Sequence, residues 1–196
     1  MVLWGSLGVF TRYIPLSALS LAFLRALIAL PVLFAALKMK NTEKVEWRLL
    51  KPYIISGSIL GFGWLTLFYG YKHTSISSAV ILYNMCPVYV MIAAPLLLKE
   101  AISKIQIAVV FFSFLGLVLI VGQNLSEGYG YLGMALSAVS GMLYATIILI
   151  NRSITSRVDN QTGTFVQISA AMIVLLPFVL GGGDISTIRD LNAAAV

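Results

Sequence analysis

Arg25 stands near the middle of an apolar run covering residues 16–37. A charge at the centre of a bilayer costs at least about 2.5–3.5 kcal/mol on insertion scales, so this guanidinium must face a bundle interior or a water-filled cavity. Two roles fit it: meeting an anion or organising coupling water, or bonding backbone carbonyls where two helices touch. No Asp or Glu lies in any apolar run of the chain. Its partner is therefore not a buried carboxylate, and a carboxylate proton relay is excluded from these spans. A second polar feature lies in the run 76–98, where Asn84 precedes Pro87 by less than one turn. Proline has no N–H, so the carbonyl of Tyr83 loses its helical partner. That leaves an acceptor beside the Asn84 amide at mid-membrane depth. Gln167 is a third candidate, with interhelical hydrogen bonding as its alternative role.

Other chemistries fail on inventory. His73 is the one histidine and Cys86 the one cysteine, so a metal cluster has too few soft or imidazole ligands. Cys86 also has no intrachain disulfide partner, and beside Pro87 it reads as a small packing residue. A Ser58–His73 pair fails because the two would sit about 22 Å apart along one helix. No phosphate-binding loop or dinucleotide fingerprint is present. The expectation is a non-enzymatic chain with no catalytic residues, no cofactor and no metal. A retinal protein or receptor is disfavoured, because no lysine lies in the last apolar run to hold retinal.

The elements that must position these groups are apolar and long. Of 196 residues, 60% are hydrophobic and 10% charged, against about 25% charged in soluble domains; the mean hydropathy is +0.97. The continuous runs argue for helices rather than the short alternating strands of a membrane barrel. Seven spans are predicted, at residues 1–14, 16–37, 52–71, 76–98, 105–122, 131–150 and 161–181. The first is only about 21 Å long as a helix, short of the roughly 30 Å hydrocarbon core, and reads as a shortened or truncated helix. The run 76–98 is expected to be the element around which the others pack. Pro52 is expected in the first turn of its helix, where no N–H is needed. Trp64, Phe68 and Tyr71 share one helical face with the spacing of a packing stripe. Gly57 and Gly61, and Gly133, Ser137 and Gly141, have the small-residue spacing that lets helices approach closely.

The net charge of +6 has a topological explanation that makes a nucleic-acid partner unnecessary. Loops after the second, fourth and sixth spans hold nine Lys and Arg; the remaining loops hold three, and Arg25 is the thirteenth. The positive-inside rule then puts the N-terminus in the cytoplasm. No cleavable signal peptide is visible, since the N-terminus lacks a basic stretch before its apolar run. Gly5 and Arg12 of the first span correspond to Gly141 and Arg152 of the sixth, and Pro31 of the second to Pro177 of the seventh. A repeat of five helices is odd, so its second copy would be inverted, a common build for secondary transporters. Residues 1–122 would form the first copy and 131–196 the start of the second, three helices short of completion.

Four segments resemble the EamA-type branch of the drug/metabolite transporter superfamily. These are WGS in the first span, FLRALIALPVLF around Arg25, the hairpin YGYKHTSISSAVILYNMCPVYVMIAAPLLLKE with Pro87 and Glu100, and IQIAVVFFSFLGLVLIVG with Gly116. The resemblance implies an all-α polytopic transmembrane helix bundle built from two inverted five-helix repeats around a central cavity. It implies a secondary transporter moving a small polar, amino acid-like metabolite or a drug across the plasma membrane by alternating access. The partners would be the lipid bilayer, the small-molecule substrate and a coupling ion, with oligomeric state open. The candidate polar path is lined by Trp4, Arg25, Tyr69, Tyr83, Asn84 and Gln167, with Pro87 as a local hinge. A truncated non-transporting fragment and a membrane receptor or scaffold are the alternatives.

Overall fold

The computed structural model describes residues 18–39, 46–98, 103–124, 130–154 and 158–181. Its helices are α1 (Ala18–Met39), α2 (Trp47–His73), α3 (Ile76–Asn84), α4 (Cys86–Leu98), α5 (Lys104–Asn124), α6 (Tyr131–Ile154) and α7 (Asn160–Gly181). No strand occurs among the described residues. The span expected at residues 1–14, with Trp4, lies outside them.

Five segments are long and apolar enough to cross a membrane: 22–39 in α1, all of α2, 78–95 across α3 and α4, α6 and α7. The 22 residues of α7 make about 33 Å of helix, enough for the hydrocarbon core. The distribution of polarity names the solvent. Ser56, Ser78, Ser137 and Ser140 are at most 1% exposed, whereas Ile28 and Phe112 are each 68% exposed. Water would drive the opposite arrangement. In lipid, bulky apolar side chains meet acyl tails, and small residues line the contacts because they let backbones come close.

The centre of the bundle is α2, not the 76–98 segment expected to organise it. α2 is antiparallel to α6 along nearly its whole length and parallel to α7 on another side. α1 lies on α7, α3 and α4 lie on α6, and α5 is peripheral. The cause is in the glycines. A Cβ at Gly57 would collide with the backbone of Gln167, with Gln167 Cα at 2.8 Å, and one at Gly61 would sit 2.9 Å from Val174 Cβ. Both therefore face α7. Gly70 faces Ser137, with Gly133 O only 3.1 Å from its would-be Cβ. A helix with small residues on two faces can be approached closely from both; the 76–98 segment has no glycine at all.

α2 also starts earlier than expected. Its first residue is Trp47, so Pro52 lies in the second turn rather than the first. Leu49 N–H donates to Glu46 O at 2.9 Å to open the helix. The missing Pro52 N–H leaves the Arg48 carbonyl without that partner, at a helix end where water and headgroups reach it. Pro31, Pro95 and Pro177 lie within helices as well, a placement that membrane bundles tolerate.

Candidate functional site

The fourth predicted span is two helices. α3 ends at Asn84, Met85 takes φ −70° and ψ 0°, and α4 begins at Cys86. The proline ring at position 87 clashes with the carbonyl four residues back and restricts Cys86 before it, so the helical path fails just upstream. Met85 N–H still donates to Ile81 O at 3.1 Å, and Met85 O accepts from Val88 N–H at 2.8 Å. The two helices are thus joined by one tight turn rather than a loop. At its start, α3 is capped by Ser75, whose Oγ accepts from Ser78 N–H at 3.1 Å.

α6 presses on this turn. A Cβ at Gly141 would lie 3.0 Å from both Leu82 O and Tyr83 O and 3.0 Å from the Tyr89 ring. Only glycine lets α6 run this close to the carbonyls that the broken turn exposes. One turn further, the Tyr144 ring packs against Tyr83 at a 38° tilt with ring centroids 5.5 Å apart. Trp64 and Leu60 of α2 close the same seam with Ser140 and Ile147, leaving no space for a water molecule. Ser140 Oγ donates to Gly63 O at 2.7 Å, tying α6 to α2. Three elements thus meet around aromatic rings at a helix break, and the seam between them is shut.

A second polar cluster ties α2, α6 and α7 together. Gln167 Nε2 donates to Ser56 Oγ at 2.7 Å and to Asn151 Oδ1 at 3.0 Å. Ser56 Oγ donates in turn to Tyr53 O at 3.1 Å. Tyr53 packs with Ile154 and Val158, and its hydroxyl approaches Ile154 O at 3.5 Å. The amide hydrogens of Gln167 are both used between helices, which is the helix-bonding role weighed for it against pore lining.

The four path candidates whose side chains are described are not gathered at one point. Tyr83 lies in the closed seam. Asn84 is exposed beside it, its Nδ2 donating to Val80 O at 2.8 Å on its own helix. Gln167 belongs to the other cluster. Tyr69 is exposed, with Lys72 Nζ 5.8 Å from its ring centre. Arg25 lies on α1 within a bilayer-length segment, its side chain being outside the described residues, as is all of Trp4. Pro87 is exposed in the first turn of α4. Sequence reasoning assigned Trp64 to packing and passed over Tyr144. The signal for Tyr144 was available: it follows Gly141 by three residues and so continues the face of the Gly133–Ser137–Gly141 stripe.

Bilayer-length apolar helices, lipid-type polarity and one span interrupted in mid-course define a polytopic α-helical membrane protein. The chain belongs to the EamA-like transporter family, whose model matches residues 1–122, within the drug/metabolite type. It is 30% identical over 185 residues to a Bacillus subtilis protein called uncharacterized transporter YxxF, covering 91% of this chain and 59% of that one. An Archaeoglobus fulgidus protein called an uncharacterized transporter is 30% identical over 192 residues, covering 93% of this chain and 65% of the relative. A Helicobacter pylori protein with the same description is 22% identical over 165 residues, 81% of this chain and 54% of its own. The chain therefore spans less than two thirds of the length of these relatives.

Proposed function

We propose that this chain forms part of a secondary carrier that moves a small polar metabolite, amino acid-like, or a drug across the plasma membrane by alternating access. The observation that carries the reading is the break at Met85 with Gly141 against the Leu82 and Tyr83 carbonyls. Transporter sites are commonly built where a span is discontinuous, because the unwound backbone supplies polar groups at membrane depth. Tyr83, Tyr144, Trp64 and Asn84 would form the wall there, Arg25 would meet a substrate carboxylate, and Pro87 would act as a hinge. The tight seam corresponds to the closed phase of the cycle. The basic loops support an N-terminus in the cytoplasm.

The test is counterflow in liposomes with the full-length gene, screening amino acids and lipophilic drugs. Tyr83→Ala, Asn84→Ala and Arg25→Ala should each lower uptake at least tenfold while the protein stays monodisperse. If all three leave uptake unchanged, the site is misassigned. Ligand binding without counterflow of any compound would point instead to a receptor or scaffold.

A further inference from the structure

A groove of about 390 Å³ runs between α4, α5 and the end of α6. Its walls are apolar over most of their length: Val88, Met91 and Ala94 from α4, Val109 and Val110 from α5, and Ile148 from α6. Its other end differs. Arg152, one turn beyond Ile148, lines the groove together with Pro95, Ile105 and Gln106. Lys104 opens α5 at this same end and is exposed. α5 starts with a reciprocal cap: Ser103 N–H donates to Gln106 Oε1 at 2.7 Å, and Gln106 N–H donates to Ser103 Oγ at 3.2 Å. The cap places the positive end of the α5 dipole, with Lys104 in the same turn, at the end of the groove that Arg152 lines. The apolar part follows α4 from Pro95 back to Val88, about 10 Å of helix. α5 itself faces outward, with Ile105 77% and Phe111 63% exposed.

We infer that this groove holds one acyl chain of an anionic phospholipid, with its phosphate at the Arg152–Lys104 end. The occupant follows from charge and depth together. A groove open to the membrane and apolar for most of its length takes a lipid tail. A guanidinium, an ammonium and a helix N-terminus at the headgroup end favour a phosphodiester. Basic pockets between spans at one face of a membrane recognise anionic headgroups in this way. A zwitterionic lipid fits the same walls but gains less from the cationic end.

The experiment uses the full-length protein in nanodiscs containing equal parts phosphatidylglycerol and phosphatidylcholine. After gentle detergent extraction, native mass spectrometry should show phosphatidylglycerol retained roughly fivefold over phosphatidylcholine, the preference expected from one basic residue near the surface. Arg152→Gln should lower the preference, and Arg152→Gln with Lys104→Gln should remove it. Val109→Trp, at an exposed wall position, should remove retention of both lipids while the protein stays monodisperse. A photoreactive residue at position 109 should crosslink to lipid. Equal retention of the two lipids, a preference unaffected by Arg152→Gln, or crosslinking of position 109 to another segment of the chain or to a second copy would each overturn the assignment. So would free glycerol phosphate displacing the bound lipid as well as phosphatidylglycerol does.

Discussion

Replacing Gly57 by alanine adds one methyl where α2 and α7 touch backbone to backbone. That methyl would collide with the Gln167 carbonyl, with Gln167 Cα at 2.8 Å and Ala170 Cβ at 2.9 Å. Carbon contacts prefer about 3.5–4.0 Å, so the two helices must part by roughly 0.6–1 Å. Overpacking of this kind costs about 1–3 kcal/mol. The movement also stretches the two hydrogen bonds of Gln167, at 2.7 and 3.0 Å, each worth about 0.6 kcal/mol between membrane helices. Alanine returns about 1 kcal/mol as the better helix former. The net expectation is a loss of about 1–3 kcal/mol, read as a melting temperature roughly 2–12 °C lower, at about 2–4 °C per kcal/mol. Gly116→Ala is the internal control, because a Cβ there meets nothing within 4 Å. It should hold or raise the melting temperature. The assay is thermal unfolding of the full-length protein in detergent, followed by fluorescence-detected size exclusion. If Gly57→Ala melts with the wild type while Gly116→Ala does not rise above it, close backbone contact is not what holds α2 to α7.

Three further outcomes are expected. In a Ser56→Ala, Gln167→Leu double-mutant cycle, the coupling should be about 0.6 kcal/mol and no more than about 1.7, measured by reversible unfolding in mixed micelles; additive losses would mean that the Ser56–Gln167 bond carries no energy. Pro87→Ala restores an N–H for the Tyr83 carbonyl, so it should raise the melting temperature and slow counterflow; faster transport would contradict the hinge role. In a background with Cys86→Ala, Ser103→Cys should label from the cytoplasmic side and Gly130→Cys from the opposite side; the reverse pattern would invert the proposed topology.

Much of the fold was legible because lipid imposes a one-dimensional rule. A span needs about 20 apolar residues, and α5, α6 and α7 begin within one residue of where the runs place them. The glycine seams were legible as well, since helical spacing alone sets Gly133, Ser137 and Gly141 on one face. What they face was not. Gly133 meets the backbone of His73 and Thr74, while Gly141 meets the broken turn, and no local rule reaches that far along the chain. Gln167 shows the same limit. Its polarity marked it, but partners at Ser56 and Asn151 depend on α2 lying between α6 and α7. Pro87 identified a defect in the fourth span. Its form as a one-residue interruption at Met85 also depends on what packs there, and Gly141 lets α6 come close.

The pairing of α1 with α7 bears on the inverted-repeat proposal more directly than residue matches do. Under that proposal the two are equivalent second helices, aligned through Pro31 and Pro177. An in-plane two-fold axis reverses a helix as it maps it onto its equivalent, so two such helices meeting at the axis must be antiparallel. Phe34, late in α1, packs on Phe165, early in α7, with centroids 6.2 Å apart. Ile28, earlier in α1, shares a groove with Ile168, later in α7. The registers run in opposite directions, which agrees with such an axis and follows equally from the five crossings that separate the two spans. The same operation turns the contact of α2 with α7 into a contact between α1 and the third helix of a second copy.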